Sequence, residues 1–519
     1  MNAVRLLTLC LLVGPNITLG SISLEPPERS YKILILIPSS PHSHRNVFIP
    51  LAEALADRGH QVEILSYLQP FHTTRNITQY VTGFIEPPEL NMFEIQNDPG
   101  KELTFFKEVL VPATKYLHST PIAKEIYSKR KTYDLFIVDH IITEMAYPFV
   151  HEMPFITVAT VGVDSAQSAM FGNVLNPSYV HTILMSVTPP LTLYKRALNL
   201  ATHMAFPFLY NYWLVIPAVQ QEISKLFPDL PPLLDIQRNQ SLTLMNSHFS
   251  TEMAVVPLLP SQVEVGAMHC RPGEPLPHDL DDWLKETGDD GVIYFSLGSI
   301  TKGKTMPTKF RDIFVKAFSQ IKQKVIWKYE EHIPNLSKNV MIKKWLPQQD
   351  ILSDPRVKIF ISHGGLLGTQ EAIYHAKPIL VLPIYGDQPK NAQTIVSKGI
   401  GISLDWDDLN PTLLIDTITT LINNSSYKRN SDTISRILRD QLQSPKDKAV
   451  FWTEYVIKHN GATHLRSPAA DLSWIEFLLL DIICLALFFI IISWYITKSI
   501  CKMIFKKLLG SGAIKSKRE

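Results

Sequence analysis

The chain has 519 residues, of which 45% are hydrophobic and 19% charged; these values exclude a disordered chain and a coiled-coil rod and predict two or more domains. The net charge of +2 hides a basic excess at the C-terminus, because residues 498–519 hold seven Lys or Arg and one acid. Residues 21–497 hold 42 basic and 47 acidic residues, a net of −5, so a nucleic-acid-binding body is not expected.

Residues 1–20 have the pattern of a signal peptide. Arg5 precedes an apolar run from Leu6 to Val13, and small residues up to Gly20 offer a cleavage point. The run is too short to span a bilayer, so we expect its removal. A retained anchor or a buried strand is the alternative.

The first half of the body begins with a βαβ pattern. Residues 32–38 are a buried type of strand, residues 47–58 have apolar positions at helical spacing, and residues 62–67 are the next strand. Two further apolar strands are predicted over residues 134–138 and 155–159.

Two later segments differ in composition from the βα units. Residues 170–216 are rich in Met, Leu and aromatic residues, which predicts core packing or, alternatively, the lining of an apolar cleft. Residues 257–277 contain five prolines, which predicts a linker. We therefore expect an N-terminal domain over 21–275, a C-terminal domain over 276–450, and a returning helix and membrane approach over 451–472.

The second half repeats the alternation of strands and helices. Strands are predicted over residues 292–296, 325–329, 340–344, 357–362 and 379–382, and helices over residues 308–322, 365–375 and 389–398. Such alternation predicts parallel sheets that helices cover on both faces. The two halves therefore predict two Rossmann-like domains that face a cleft, with ligands bound beyond the carboxyl ends of the strands.

A glycine turn in the second half has the chemistry of a diphosphate site. The strand over 357–362 leads into His363-Gly364-Gly365, and a helix follows at once. Glycines at such a turn let backbone N–H groups approach an anion, and a helix N-terminus adds roughly half a positive charge. Glycines also occur in ordinary tight turns. The position of these glycines between a buried strand and a helix therefore predicts the diphosphate site, which would need no metal ion.

The surrounding segment carries side chains suited to the other parts of a nucleotide sugar. Trp345 can stack on a base, Gln348 can bind base or ribose, and Glu371 can accept hydrogen bonds from ribose hydroxyls. Asp387 and Gln388 follow the next strand, where they can hold the hydroxyls of a sugar. Each residue alone is more often structural, but their joint position at strand ends predicts a nucleotide-sugar site.

The C-terminal segment has the pattern of one membrane span. Residues 477–496 are apolar over about 20 positions, near the length of a helical span, and Asp481 interrupts them. Basic residues begin at Lys498, which predicts a span over 473–497 and a cytoplasmic tail over 498–519. A buried core helix is the alternative that this basic flank disfavours.

Three further features bear on the location of the body. Lys515 and Lys517, fifth and third from the end, form the pattern of a dilysine signal for the endoplasmic reticulum, with a solvated basic tail as the alternative. Cys270 is the one cysteine expected in the body, so neither an internal disulfide nor a cysteine-based metal site is possible there. Four glycosylation sequons support a lumenal body: Asn76, Asn239, Asn335 and Asn423.

The segment 345–388 resembles the signature of the animal UDP-glycosyltransferases, a membrane-bound detoxification family. The resemblance extends to residues 295–299 (FSLGS), to residues 471–474 (DLSW), and to the two ends of the chain. It implies a GT-B fold and an inverting transfer of a hexose from a UDP-sugar to a hydroxyl of a small lipophilic acceptor. It implies no metal ion and no cofactor beyond the UDP-sugar, and it leaves a homo- or hetero-oligomer open.

The resemblance also implies a role for each donor-site residue. Trp345 stacks on uracil, Gln348 contacts the uridine, and Glu371 holds the ribose. Leu367 departs from the vertebrate pattern, in which Asn often occupies this position, so more of the phosphate binding falls to the backbone. The remaining implied contacts are to the diphosphate (His363, Ser299 and the amides of Gly365 and Gly368) and to the transferred sugar (Asp387 and Gln388).

The general base is expected in the loop after the first strand. His44 matches the family's position for the base, and His42 is the less favoured candidate. A hydroxyl acceptor needs such a base, which typically contributes ~10²–10⁴-fold to the rate. Asp139, at a strand end, is the expected partner that fixes the tautomer and stabilises the imidazolium. Because a helix begins nearby, its N-terminus predicts a neutral resting His44.

The donor sugar is predicted to be neutral. Members that use glucuronate carry Arg before a Pro-Leu-Leu-Pro-like stretch, where an Arg would pair with the sugar carboxylate. This chain has Val256 there, which favours glucose, as in the invertebrate members that it resembles. The acceptor is expected to bind in the N-terminal half, within residues 170–216.

Three alternatives remain open at the level of the sequence. In the first alternative the chain is a catalytically silent binding protein or partner subunit on the same scaffold. In the second it is an enzyme that uses UDP-glucuronate, and the third is a metal-dependent transferase. A metal-dependent transferase would need an Asp-x-Asp motif, and Asp279/Asp281 and Asp405/Asp407 both fit that short pattern. We interpret both as structural, since the first lies in the expected linker and the second is expected to open a helix.

Overall fold

The computed structural model describes residues 24–83, 91–94, 99–141, 144–182, 185 and 190–515. The predicted signal peptide and Lys517 lie outside these residues. The described chain contains two parallel β-sheets, each covered by helices on both faces, and a long C-terminal helix.

The first sheet has seven parallel strands in the order β3-β2-β1-β4-β5-β6-β7. The strands are β1 (Lys32–Ile37), β2 (Gln61–Ser66), β3 (Ile77–Val81), β4 (Leu135–Asp139), β5 (Phe155–Ala159), β6 (Thr243–Met245) and β7 (Gln262–Glu264). Its helices are α1 (His42–Asp57), α2 (Pro99–Ser119), α3 (Pro121–Ser128), α4 (Tyr147–Val150), α5 (Ser165–Met170), α6 (Leu193–Phe208), α7 (Ile216–Leu226) and α8 (Leu233–Arg238).

The second sheet has six parallel strands in the order β10-β9-β8-β11-β12-β13. The strands are β8 (Val292–Ser296), β9 (Lys324–Lys328), β10 (Val340–Lys343), β11 (Val357–Ser362), β12 (Ile379–Val381) and β13 (Gly401–Ser403). The helices that follow α8 are α9 (His278–Lys285), α10 (Thr308–Phe318), α11 (Gln348–Ser353), α12 (Leu366–Tyr374), α13 (Gln388–Ser397), α14 (Pro411–Asn423), α15 (Ser425–Arg439), α16 (Pro445–Lys458), α17 (Trp474–Phe477) and α18 (Leu480–Lys515).

Strand β1 illustrates why both faces of the sheets are covered. Ile33, Ile35 and Ile37 belong to a core cluster with α1, whereas Leu34 and Leu36 belong to a second cluster on the opposite face. Successive side chains of a strand point to opposite faces, so a continuous apolar run requires helices on both sides. The apolar strands therefore predict a helix–sheet–helix sandwich, which the fold has.

Three sequence-based expectations need correction. Helix α1 begins at His42 and not near residue 47, because Pro41 can precede a first helical turn without losing an N–H bond. The expected linker over 257–277 contains β7, whose three residues complete the first sheet. The expectation of core packing over 170–216 is wrong for residues 193–214, most of which are exposed to solvent.

The chain returns to the first domain before it reaches its long C-terminal helix. Helix α16 packs on α1, and Ala449 and Val450 join the same core cluster as β1. Glu454 of α16 accepts hydrogen bonds from the side chains of Arg58 and His60. Among the described residues, one helical segment, Leu480–Lys507, is long and apolar enough to cross a membrane, by its length and composition.

The order in which strands are added reverses at equivalent points of the two sheets. In the first sheet β1 lies between β2 and β4, and in the second sheet β8 lies between β9 and β11. Connections leave these paired strands to opposite sides, so a crevice opens at their carboxyl ends. Each domain therefore offers one ligand-binding crevice at the end of these strands.

Candidate active site between the two domains

A histidine and an aspartate meet at the crevice of the first sheet. Asp139 ends β4 and is fully buried, and His44 lies in the first turn of α1, directly after β1. The Nδ1 atom of His44 lies 2.6 Å from Oδ2 of Asp139. A hydrogen bond donated from Nδ1 leaves Nε2 as the basic nitrogen, which is the tautomer that a general base needs.

Two hydroxyl groups hold the aspartate in place. Ser40 donates a hydrogen bond of 2.8 Å to Oδ2 of Asp139, and Thr160 donates one of 3.1 Å to Oδ1. The Thr160 hydroxyl also lies 3.0 Å from Nδ1 of His44. Sequence reasoning missed both residues, since only the folded sheet brings the ends of β1, β4 and β5 together.

The His44 imidazole lies within reach of two carboxylates. Burial lowers the pKa of His44, but the charge and hydrogen bond of Asp139 and the charge of Asp387 outweigh burial, so the pKa is raised. The prediction from the sequence considered the helix N-terminus alone, which disfavours imidazolium; the 2.6 Å contact with Asp139 acts in the opposite direction. Asp387 belongs to the second domain, so His44 faces the cleft between the domains.

His363 lies at the crevice of the second sheet, enclosed by glycines. A Cβ atom added at Gly298 would lie 2.7 Å from Cε1 of His363, and one at Gly365 would lie 2.7 Å from Nε2. Gly298 also has a φ of +84°, which side chains other than that of glycine rarely adopt. The ring therefore occupies the space that side chains at these two positions would need.

The His363 ring is neutral and has an unused polar atom. Burial and the charge of Lys328 lower the pKa of His363 to about 4. Its Nδ1 atom is buried and has no hydrogen-bond partner among the described residues. It lies beside the N-terminus of α12, which Gly365 caps. An unpaired nitrogen next to free helix amides fits an anionic group such as a diphosphate.

The residues expected at the nucleoside form a connected group. Gln348, the first residue of α11, donates a hydrogen bond of 2.5 Å to Glu371 and accepts one of 3.1 Å from the Tyr294 hydroxyl. Burial raises the pKa of Glu371 to about 7, although the Gln348 amide and the charge of Arg271 act in the opposite direction. Trp345, which follows β10, is 67% exposed, so its indole face is open to a ligand.

The residues expected at the sugar lie at the start of α13. Burial raises the pKa of Asp387 against the effects of Asn391 and Lys390. The side-chain oxygen of Gln388 accepts hydrogen bonds from the backbone N–H groups of Ile384 and Tyr385, at 2.8 and 3.2 Å. Gln388 therefore fixes the loop after β12 and leaves only its amide N–H groups for a ligand.

Asn391 is a site residue that sequence reasoning missed. Its amide donates hydrogen bonds to the Gly364 carbonyl at 2.9 Å and to Oδ2 of Asp387 at 2.7 Å. It thus connects the glycine turn to the carboxylate expected at the sugar. Its spacing of four residues from Asp387 on a helix was the available signal.

Gly368 and Leu367 lie in the first turn of α12. The amide of Gly368 is one of the N–H groups that a helix start leaves unpaired, and a Cβ there would lie 3.3 Å from Nε2 of Gln348. Leu367 packs against the core cluster of the first domain, so its apolar side chain contributes to the domain interface. Ser299 lies in the turn after Gly298 and is half-buried.

Polar contacts also join the two domains. Lys390 of α13 forms an ion pair of 3.2 Å with Glu252 of the first domain, and both side chains are largely buried. Gln370 of α12 donates a hydrogen bond of 2.8 Å to the Asn246 carbonyl. These contacts join α12 and α13 of the second domain to the first domain.

The two Asp-x-Asp motifs lie outside the cleft residues described above. Asp279 and Asp281 belong to helix α9 and not to a linker; Asp279 pairs with Lys343, and Asp281 pairs with Arg356. Asp405 lies in a turn before α14, where its side chain accepts from the Asp407 N–H, so this motif does not open a helix. No group of three or more His, Cys, Asp or Glu among the described residues is arranged to hold a metal ion.

The four predicted sequon asparagines are all exposed on the described surface. They are Asn76, Asn239, Asn335 and Asn423. Cys270 has no disulfide partner, and burial raises the pKa of its thiol.

Two solved structures show this architecture. The chain matches the spinosyn forosaminyltransferase SpnP with a TM-score of 0.57 and 16% identity, over 83% of this chain and all of that one. It matches the glycotransferase of kitacinnamycin with a TM-score of 0.55 and 18% identity, over 82% and 99% of the two chains. The fold is therefore GT-B, as predicted.

Sequence comparison narrows this class to one family. The family model for UDP-glucoronosyl and UDP-glucosyl transferase matches residues 126–515. UDP-glycosyltransferase UGT5 of Dactylopius coccus is 35% identical over 485 residues, 89% of this chain and 90% of the relative. UDP-glucuronosyltransferase 2B7 of Homo sapiens is 28% identical over 506 residues, 91% and 93% of the two chains.

The chain belongs to the family of UDP-glucoronosyl and UDP-glucosyl transferases. It is a glycosyltransferase with a UDP-sugar as donor, which confirms the resemblance found in the sequence.

Proposed function

We propose that this enzyme moves a neutral hexose, glucose by preference, from its UDP-sugar to a hydroxyl of a small lipophilic acceptor, with His44 as general base and Asp139 as its partner. The observation that carries this proposal is the 2.6 Å contact from Nδ1 of His44 to Asp139 in a cleft that Asp387 shares. This contact leaves Nε2 to take the proton of an acceptor.

The reaction is a single displacement at the anomeric carbon. The acceptor oxygen attacks that carbon while its proton passes to Nε2 of His44. The bond from the anomeric carbon to the phosphate oxygen breaks on the opposite face, its electron pair leaves with UDP, and the configuration inverts. Asp139 stabilises the imidazolium that forms, and the cleft supplies the proximity of the two substrates.

The charge that develops on UDP needs stabilisation that the second domain can supply. The free amides at the start of α12, including those of Gly365 and Gly368, would donate to the diphosphate, with His363 and Ser299 beside them. Preorganised donors of this kind act strongly in a cleft that excludes water. In this proposal Trp345 stacks on uracil, Gln348 and Glu371 hold the uridine, and Asp387 and Gln388 hold the hexose, without a metal ion or other cofactor.

Two observations support a neutral sugar. Val256 packs against an apolar cluster of the first domain and carries no charge for a carboxylate. Lys390, whose charge acts on Asp387, is already paired with Glu252. The names of the relatives include both glucosyl and glucuronosyl transferases, so the choice of glucose rests on these residues.

The function is tested in microsomes that contain the full chain, with UDP-glucose or UDP-glucuronate and a panel of phenols. We expect transfer from UDP-glucose, and we expect His44→Ala to reduce it by ~10²–10⁴-fold without loss of UDP binding. His42→Ala is the matched control, because His42 lies on the same helical turn and contacts Arg45. Full turnover by His44→Ala would refute the assignment of the base, and UDP binding without any transfer by the parent chain would favour a silent binding protein.

We also propose that the body faces the lumen of the endoplasmic reticulum and that the tail is cytoplasmic. The exposure of the four sequon asparagines supports this orientation. Glycosidase treatment of the microsomal protein should increase its electrophoretic mobility; an unchanged mobility would contradict the orientation.

A further inference from the structure

One surface of the first domain carries an unusual number of apolar side chains. We define the surface helix as α6 together with the π-helical turn that continues it, Leu209–Leu214. Its large apolar residues that are exposed are Leu193, Tyr194, Leu198, Leu200, Met204, Phe208, Tyr212 and Trp213. Single exposed apolar residues are normal on a protein, but a contiguous group of this size marks an interaction surface.

The surface helix is attached to the body by polar contacts on its inner side. Asn199, fully buried, donates hydrogen bonds of 2.6 and 2.7 Å to the carbonyls of Pro177 and Val180. His203 lies 3.0 Å from the same Val180 carbonyl. Tyr210 and Leu214 of the turn also pack against the core of the first domain. The side of α6 that faces the protein thus includes buried polar groups, whereas its large apolar side chains face outward, unlike those of a helix that packs on a core.

This surface lies on the side of the molecule from which the chain enters its membrane segment. Helix α5 packs on α6, and Gly172 follows at the end of α5. A Cβ at Gly172 would lie 2.5 Å from the backbone nitrogen of Ala470 and 2.8 Å from Cβ of Ala469. Four residues after Ala470, helix α17 begins and leads into α18.

We propose that the surface helix docks onto the membrane that α18 spans, as a second, non-spanning contact with the same leaflet. Its partner is a lipid bilayer and not a protein, because Gly172, at the end of the helix α5 that packs on α6, lies against Ala469 and Ala470 in the segment that leads into α18. Exposed Trp474 and Ile475 of α17 extend the apolar surface toward the lipid. Lys195 and Arg196 are exposed at the start of α6, where long basic side chains can reach lipid phosphates while the helix lies in the interface.

The same element reaches the interior near the catalytic pair. The Tyr210 hydroxyl, on the π-helical turn, donates a hydrogen bond of 2.7 Å to Glu144. Glu144 is buried five residues after Asp139, and the charge of Asp139 helps to raise its pKa, after burial as the main cause. Docking would thus place the acceptor side of the cleft next to the lipid phase. Docking itself does not depend on the proposed reaction, so the two proposals fail separately.

The test uses the full chain in phosphatidylcholine proteoliposomes whose acyl chains carry a nitroxide quencher. Cys270, Cys484 and Cys501 are replaced by Ser, and a bimane probe is attached at Met204→Cys; Asp312→Cys, exposed on α10 of the second domain, is the control. We expect a large loss of fluorescence at position 204 and none at position 312. Retained UDP binding by both labelled chains shows that they are folded.

Two outcomes would overturn the docking. Equal fluorescence at positions 204 and 312 in quencher lipids would mean that the surface helix stays in water. Unquenched fluorescence at position 204, together with cross-links between two copies of the unlabelled Met204→Cys chain by a bis-maleimide, would mean that a second copy covers this face instead.

Discussion

The two crevices of this enzyme place histidines in opposite electrostatic surroundings. In the first domain, buried carboxylates raise the pKa of His44. In the second domain, burial and Lys328 lower the pKa of His363 to about 4. Both rings follow strands at the reversal point of a parallel sheet. The comparison teaches that the partner, and not the position in the fold, decides whether such a histidine is able to carry a proton or stays neutral beside an anion.

Removal of the Asp139 carboxylate should have the largest effect, because it removes the group that distinguishes the surroundings of His44 from those of His363. Asp139→Asn keeps the shape of the side chain but removes the charge that stabilises the imidazolium. We expect kcat to fall by ~10²–10⁴-fold. Because only unprotonated His44 is a base, the rate of the parent falls as the pH drops through the raised pKa. That acid limb should move to lower pH in the variant.

The pH dependence of kcat/KM measures both effects. His42→Ala should leave the acid limb where it is in the parent enzyme. An acid limb that stays unchanged in Asp139→Asn would contradict the claim that Asp139 sets the pKa of His44.

A methyl group beside the second histidine should have the next largest effect. Gly298→Ala introduces a Cβ 2.7 Å from the His363 ring at a φ of +84°. We expect a loss of about 1–2 kcal/mol in the free energy of unfolding, with weaker binding of UDP because the ring must move.

Calorimetry measures both Tm and UDP binding for this variant. Gly288→Ala is the matched control, since nothing lies within 4 Å of a Cβ there and its φ is not positive. A Gly298→Ala chain that binds UDP as tightly as the parent would show that the position of His363 does not matter to the donor.

The raised pKa of Glu371 should produce a smaller, pH-dependent effect on donor binding. In the proposed role, an ionised Glu371 accepts hydrogen bonds from both ribose hydroxyls. Protonation of the carboxylate turns one of its two acceptor oxygens into a donor. Since the pKa of Glu371 is about 7, KM for the UDP-sugar should rise as the pH falls below about 7, by at most about tenfold per pH unit. Glu371→Gln should have a higher KM at pH 8 that no longer changes through this range, and a parent KM that is flat from pH 8 to 6 would contradict the role.

The smallest expected effect concerns the choice of sugar. Glu252→Gln frees the charge of Lys390 next to Asp387, so the ratio of kcat/KM for UDP-glucuronate to that for UDP-glucose should rise several-fold. Addition of Lys390→Met to this variant should restore the parent ratio. A ratio that does not move in Glu252→Gln would mean that Lys390 does not approach the donor sugar.

The sequence predicted the parts of the fold that depend on local pattern. The strand ends and the glycine turn were readable because buried parallel strands form apolar runs and because glycines mark the turn at Gly364 and Gly365. Ser40 and Thr160 were not readable, because strands far apart in the chain bring them to Asp139. The surface helix was misread as core, since apolar composition does not say whether protein or lipid covers a face.

Helix α16 makes the two domains differ in how they are connected to the C-terminal helix α18. After the second domain the chain returns to the first domain, where Glu454 of α16 accepts hydrogen bonds from Arg58 and His60 before the C-terminal helix begins. The contacts of α16 thereby join the domain that holds His44 directly to the segment that leads into α18, whereas the second domain is linked to α18 through α16.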